Sequence, residues 1–354
     1  VTPAPRWPDV LAALLAGDDL TGEQAGWAMR EIMTGESSPA QVAGFVVALR
    51  AKGETAPEVA GLAEVMLALA EPLPLGRVRT VDTCGTGGDR ANTVNISTMA
   101  AFVLAGTGAQ VVKHGNRSAS SQTGSADLLE ELGVVIDLPP AGVAASVAAG
   151  APVFCFAPVF HASMRHAAVP RRDLGVPTVF NVLGPLTNPG RPAAQVVGVS
   201  DRRLAPVLAQ VLADRGTDAL VVRGDDGLDE LTTATTSTVW WVRDGAVAEQ
   251  SVDPATLGLG AGDLRGGDAA HNAAVARAFV AGERGPVRDA VLLNAAAGLV
   301  AYAPGTGPLT GQLAAALQVA AAAVDDGRAA AALDRWVEGS RAAQEPSEKA
   351  DSRS

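Results

Sequence analysis

The chain has 354 residues, enough to bury a large core and, by length, about two domains. Its net charge of −11 argues against a broad nucleic-acid surface while leaving room for a local basic pocket. No signal peptide precedes Trp7 and no apolar run is long enough for a membrane span, so cytoplasm is the expected location.

Residues 1–72 read as short helices. Thr21 with Gln24, Ser38 with Gln41 and Thr55 with Glu58 each match a capping box, with Pro39 at a first helical position. Gly17, Gly35 and Gly53 are the expected stops, and Val42, Phe45, Val46 and Leu49 recur at helical spacing. Pro72-Leu-Pro74 is the first expected linker.

From Val78 the pattern changes to short apolar runs alternating with helix-length stretches. Val78–Asp82, Ala109–Val112, Val134–Ile136, Val153–Phe156, Ala194–Val199 and Ala219–Val222 read as strands. Thr98–Gly106, Ala126–Leu132 and Leu204–Arg215 read as helices between them. The alternation implies right-handed βαβ units. The expected fold is α/β: a mostly parallel sheet flanked by helices, with a smaller N-terminal all-helical domain joined by a hinge. Phe160–Val176 breaks the rhythm as a polar helix expected to pack back onto the N-terminal helices. Asp244-Gly245 between two apolar runs signals a hairpin, and four alanine-rich helices follow over about residues 269–343. The expected domains are 1–75 (helical, joined by 160–176) and 76–344 (α/β, catalytic), with a disordered tail at 345–354.

The chemistry concentrates between Asp82 and Gly133. Two glycine-rich loops follow two predicted strands there, each with a helix start behind it, and such starts bind anions. Gly85-Thr86-Gly87-Gly88-Asp89 is not a dinucleotide loop, because Arg90 stands where the third glycine is needed, and no Walker lysine follows. Taken alone, it is as readily a tight turn as a phosphate loop. Lys113-His114-Gly115-Asn116-Arg117 is more specific, since a solvated turn needs no such set of groups after an apolar strand. The chain's lysines are only Lys52, Lys113 and Lys349, so a lysine here marks a place for a point charge. Asp229-Glu230 after a glycine-bounded turn suits Mg2+ held by carboxylates and substrate phosphates. Arg171 or Arg172 suits a substrate carboxylate. Cys84 and Cys155 sit in apolar runs and are expected as core residues, forming neither a disulfide nor a zinc site. In open α/β sheets ligands gather beyond the carboxyl ends of the strands, and the 85–88 loop, the 113–117 loop, Pro158–His161 and Asp229-Glu230 all follow predicted strands.

The ordered set GTGGD, NIST, KHGNR, SS-x-x-GSADLLE-x-LG, FAP-x-x-H, R-x-x-LG-x-x-TVFN-x-LGPLTNP and LDELT closely resembles the anthranilate phosphoribosyltransferases, from the N-terminal helices to the alanine-rich C-terminus. The resemblance implies a homodimer formed through the helical parts. It implies Mg2+-dependent reaction of anthranilate with phosphoribosyl pyrophosphate (PRPP), with two Mg2+ per active site, as a step of tryptophan biosynthesis. By position, Gly85, Thr86, Gly88, Asp89, Thr93, Asn95, Ser97, Thr98, Lys113 and Ser125 would hold PRPP. Gly85, His114, Asn116, His161 and Arg171 would contact anthranilate, and Ser97, Asp229 and Glu230 would hold the metal. Lys113 and Asn116 would be the catalytic pair. Relatives carry His-His at Phe160-His161 and Pro-Val-Arg at Val169-Pro170-Arg171, so this chain departs from them at the anthranilate entrance.

Three other readings are weaker. A pyrimidine nucleoside phosphorylase shares the architecture but not the KHGNR and NIST runs. A nucleic-acid-binding relative would need a basic surface, and a nicotinamide oxidoreductase an intact fingerprint.

Overall fold

The computed structural model describes residues 5–118 and 122–344; the tail expected at 345–354 lies outside them. Local signals set the N-terminal helices α1 (Trp7–Ala16), α2 (Gly22–Thr34), α3 (Pro39–Lys52) and α4 (Ala56–Ala68). Thr21/Gln24 and Ser38/Gln41 form the reciprocal boxes. At the third start the Glu58 carboxylate instead accepts from both the backbone N–H and the hydroxyl of Thr55. Glu58 is fully buried. It also takes a bond from the Leu20 N–H and one from Lys52 at 2.9 Å, so cation and donors offset its desolvation.

The sheet has seven strands in the order β3-β2-β1-β4-β5-β6-β7. They are β1 (Thr80–Gly85), β2 (Gln110–Gly115), β3 (Val153–Phe156), β4 (Ala194–Gly198), β5 (Asp218–Gly224), β6 (Ser237–Arg243) and β7 (Ala246–Val252). The first five in that order pair in parallel, and β6–β7 add an antiparallel hairpin turning at Asp244-Gly245. Between strands lie α5 (Ile96–Gly106), α6 (Ser125–Glu131), α7 (Pro140–Ala148), the short α8 (Ala157–Phe160), α9 (Arg165–Leu174), α10 (Phe180–Leu183) and α11 (Ala205–Asp214). The C-terminal helices are α12 (Ala269–Val280), α13 (Pro286–Tyr302), α14 (Leu309–Asp325) and α15 (Arg328–Gln344).

Strand alternation divides the core between the two faces. Val196, Leu220 and Val222 face α5 and the C-terminal helices. Val197, Ala219 and Val221 face α11 and, through it, the buried side chains of the N-terminal helices. Helix α9 packs against α2 and α3, with the His166 ring lying over Gly35.

Two expectations need correction. Val134–Ile136 is not a strand: Ser340 on α15 accepts from the Val135 N–H at 2.9 Å, and Leu129 accepts from the Val134 N–H, so no neighbouring strand receives them. And Lys113-His114 is not loop: β2 runs through both to Gly115.

Candidate functional site

The chain passes from β1 outward to β3, then returns to lay β4 on the other side of β1. That reversal opens a crevice at the carboxyl ends of β1 and β4, where Gly85 and Gly198 stand in register. Asp229 fills the gap. A Cβ on Gly198 would run into its backbone carbonyl, and one on Gly85 into its carboxylate. Both strand ends are glycine because a third segment must reach between them. The Asp229 carboxylate accepts from the Gly87 N–H at 2.7 Å, joining the acidic turn to the glycine loop.

Gly87, Gly88, Arg90 and Asn92 all take left-handed backbone, with φ of 67°, 87°, 61° and 51°. Left-handed positions of this kind recur in backbone turns that bind anions, and here the Gly87 N–H already holds the Asp229 carboxylate. Ser200, just past β4, steadies the loop. Its hydroxyl donates to the Gly87 carbonyl at 2.7 Å, and its N–H donates to the Thr86 hydroxyl at 3.2 Å. Behind the loop, α5 begins at Asn95, whose side chain does not cap it; the Ile96 N–H turns to the Val94 carbonyl and the Ser97 N–H to Glu230, which leaves the Thr98 N–H of the first turn for a ligand. Ser97 is partly buried at this end, Thr98 is fully buried with an unpartnered hydroxyl, and Thr93 bridges to Arg265.

Lys113 rises from β2 beneath this loop and is 1% exposed. Its ammonium donates to the Thr83 carbonyl and approaches the Ser97 hydroxyl at 3.5 Å. Nearby acids are held unusually basic. Burial, then the charge of Asp89, pushes Asp229 up to about 7. Burial, then the charge of Asp229, pushes Glu230 well above the usual carboxylate range, with Lys113 opposing. Asp82, on β1 and also raised by burial, accepts from Asn188 at 2.9 Å.

A second, drier compartment adjoins. His114 and His161 lie with ring centroids 5.3 Å apart. His114 meets the Gly184 carbonyl at 3.0 Å and leaves Nε2 unpartnered, while His161 meets the Thr187 carbonyl at 2.8 Å. Burial, then the neighbouring His161, lowers His114 to about 3, so both rings are neutral at pH 7. Arg171 on α9 lies 5.3 Å over the Phe180 ring, partly buried, with no ion-pair partner among the described residues.

The remaining expected residues divide. Asn116 is exposed beside the compartment, and the Ser125 hydroxyl reaches the Asn116 carbonyl at 3.4 Å. Asp89 is half-buried at the loop, and its carboxylate accepts from the Ala91 N–H. Arg117 turns away, its guanidinium pairing with Asp127 at 2.9 Å and Glu130 at 2.8 Å on α6.

Carboxylate, hydroxyl and carbonyl oxygens are the donors here, and they suit Mg2+. Two acids whose proton affinity burial has raised are ready to give that up to a divalent cation. Among the described residues no three His, Cys, Asp or Glu side chains form a metal cage. Phosphate oxygens would complete the shell, as Mg2+ commonly requires.

Known proteins decide the family. Residues 77–330 match the family described as "Glycosyl transferase family, a/b domain", and residues 8–70 its "helical bundle domain". Anthranilate phosphoribosyltransferase of Acidothermus cellulolyticus is 63% identical over 96% of this chain and 97% of its own length. The chain belongs to the anthranilate phosphoribosyltransferase family.

Solved structures agree. The anthranilate phosphoribosyltransferase of Thermus thermophilus superposes with a TM-score of 0.86 at 40% identity, covering 94% of this chain and 99% of its own. That of Saccharomyces cerevisiae, seen in complex with PRPP and Mg, gives 0.86 at 26% identity, covering 95% and 98%. The same yeast enzyme, in complex with 4-fluoroanthranilate, gives 0.84 at 25%, again covering 95% and 98%. Among residues that shape this phosphoribosyltransferase site, sequence reasoning passed over Asn188, Ser200 and Asn272. Asn188 lay inside the LGPLTNP run, but nothing in the spacing shows that it props Asp82. Ser200 and Asn272 carried no signal before the segments met.

Proposed function

We infer that the protein transfers the phosphoribosyl group of PRPP to the amine of anthranilate, releasing pyrophosphate and N-(5-phosphoribosyl)anthranilate in tryptophan biosynthesis. The observation that carries this reading is the meeting, at one strand reversal, of a left-handed glycine loop, a helix start that Asn95 does not cap and the Asp229-Glu230 pair. The neutral histidine compartment adjoins them, in a chain whose relatives bear that name.

In this reading Gly85, Thr86, Gly88 and Asp89 hold the pyrophosphate, and Thr93, Asn95, Ser97, Thr98 and Ser125 the phosphate and ribose. Lys113 places a fixed positive charge under the ribose and phosphates. Asp229, Glu230 and Ser97 would hold Mg2+, two ions per site, which when bound neutralises the leaving pyrophosphate. Neutral His114 and His161, with Asn116, line the aromatic ring, and Arg171 pairs with the carboxylate by a two-pronged bond.

The chemistry needs positioning and charge rather than a nucleophile. The thiol nearest the site, Cys84, is pushed well above its usual range by burial and is inert at pH 7. Anthranilate's aryl amine is neutral at that pH, so no strong base is required. The displacement is dissociative, with positive charge growing at the ribose carbon.

The helical part, residues 1–75 with 160–176, hinges against residues 76–344 to close the site, and the protein works as a cytoplasmic homodimer. Leu15 on α1 (80% exposed), Val47 on α3 and Val169 on α9 support that dimer, as exposed apolar side chains on adjoining helices. The test of the activity is optical. Anthranilate fluorescence should fall only when PRPP and Mg2+ are both present; loss without either, or no loss with both, would refute it.

A further inference from the structure

Asn95 stands at the N-cap of α5, where an asparagine ordinarily turns its carbonyl oxygen onto the second or third helical N–H. Here it does not. Its Nδ2 donates to the Thr123 carbonyl at 3.0 Å, and its Oδ1 accepts from Asn272 Nδ2 at 2.9 Å. Asn272, at the start of α12 and 2% exposed, in turn accepts through Oδ1 from the Gly267 N–H at 2.8 Å. The Thr123 hydroxyl donates to the Gly267 carbonyl at 2.8 Å and closes the ring. Three segments far apart in sequence are thereby tied at the mouth of the phosphate site.

The direction of every bond is forced. A backbone carbonyl can only accept, so Asn95 must present its NH2 to Thr123. A backbone N–H can only donate, so Asn272 must present its oxygen to Gly267. The two amides then meet oxygen to NH2, and neither can flip without setting like against like.

We propose that Asn272 is a positioning residue of the phosphoribosyl site: by holding Asn95 away from the helix it keeps the Thr98 amide in the first turn of α5 uncapped and available to the substrate's anion, the Ile96 and Ser97 amides being taken by Val94 and Glu230. The ring also fixes the 122–125 turn beside this first turn. This rests on the phosphoribosyl reading above. Asn272 touches no substrate; it acts through Asn95.

The test compares Asn272→Asp and Asn272→Ala with wild type. Aspartate keeps the bond from Gly267 but sets a carboxylate oxygen against Asn95 Oδ1. KM for PRPP should rise about tenfold in both variants, with KM for anthranilate at saturating PRPP changed less than about twofold. The Asn95→Ala/Asn272→Ala double variant should match Asn95→Ala alone. Without ligand, the Thr98 amide should exchange more slowly in Asn272→Ala than in wild type, because the released Asn95 turns to cap it. An unchanged KM for PRPP with unchanged Thr98 exchange would overturn the proposal. So would a joint rise in both KM values with a lower Tm, since that marks a merely structural residue. Wild-type protein inert toward both substrates would sink the functional reading alone, and the Thr98 comparison would still decide the role of Asn272.

Discussion

The loops after β1 and β2 occupy equivalent places, each leaving a parallel strand for a helix start, yet they are held by opposite means. The first has left-handed backbone, an uncapped helix and glycines that admit Asp229. The second hangs from a buried lysine and histidine and is tied by Arg117 to two carboxylates of α6. One loop is shaped by left-handed backbone and by the carboxylate that it grips through the Gly87 N–H. The other is a more rigid wall that leaves His114 Nε2 and the exposed Asn116 for a ligand. A binding site gains from pairing them, because the wall sets the distance over which the open loop must act.

Changes to the wall's base should cost most. Lys113→Met leaves Asp82 and Glu230 without their cation, and chemical denaturation should show a loss on the order of 3 kcal/mol. The open loop is next. Gly198→Ala drives a methyl group into the Asp229 backbone. That should cost about 1–3 kcal/mol in stability and about a hundredfold in turnover, read from the same assay at saturating PRPP.

The dry compartment should show itself through pH. His114 titrates near 3 when folded against an ordinary 6.5, so between those values the unfolded chain binds a proton that the folded chain refuses. Its contribution is intact above pH 6.5 and drains away as pH falls, reaching a loss of about 2 kcal/mol at pH 5. Comparing the slope of stability against pH for wild type and His114→Gln isolates this effect. An identical slope in the two would remove His114 from the account.

Smaller effects complete the ranking. Glu230→Gln should move the Mg2+ midpoint up about tenfold while leaving KM for anthranilate alone. Arg117→Ala removes exposed ion pairs and should cost less than about 1 kcal/mol, with turnover nearly kept. Should Arg117→Ala prove as damaging as Lys113→Met, the division between the two loops would be wrong.

Much of this was legible in the sequence, and the exceptions follow one physical rule. Caps at Thr21 and Ser38, the hairpin at Asp244-Gly245 and the four C-terminal helices are local features, decided by neighbours three or four residues away. Val134–Ile136 misled because its strand-like pattern reflects burial, while its hydrogen bonds go to α15 and to a helix end. KHGNR looked like one functional loop. The structure splits it among a buried strand end, an exposed amide and an arginine given over to α6. GTGGD looked ambiguous in isolation; the distant Asp229 explains Gly85, and the left-handed backbone explains Gly87 and Gly88. Ser200, Asn188 and Asn272 were invisible for the same reason. A side chain that works by propping another leaves no spacing to read.

The most direct measurement is a crystal structure of the protein with PRPP and Mg2+. The account predicts the pyrophosphate against the Gly85–Asp89 loop, with Lys113 beneath the sugar. It also predicts a metal ion within about 2.1 Å of an Asp229 or Glu230 oxygen. PRPP and its metal bound away from these carboxylates, or Lys113 and Glu230 on opposite sides of the molecule from the bound sugar, would contradict it.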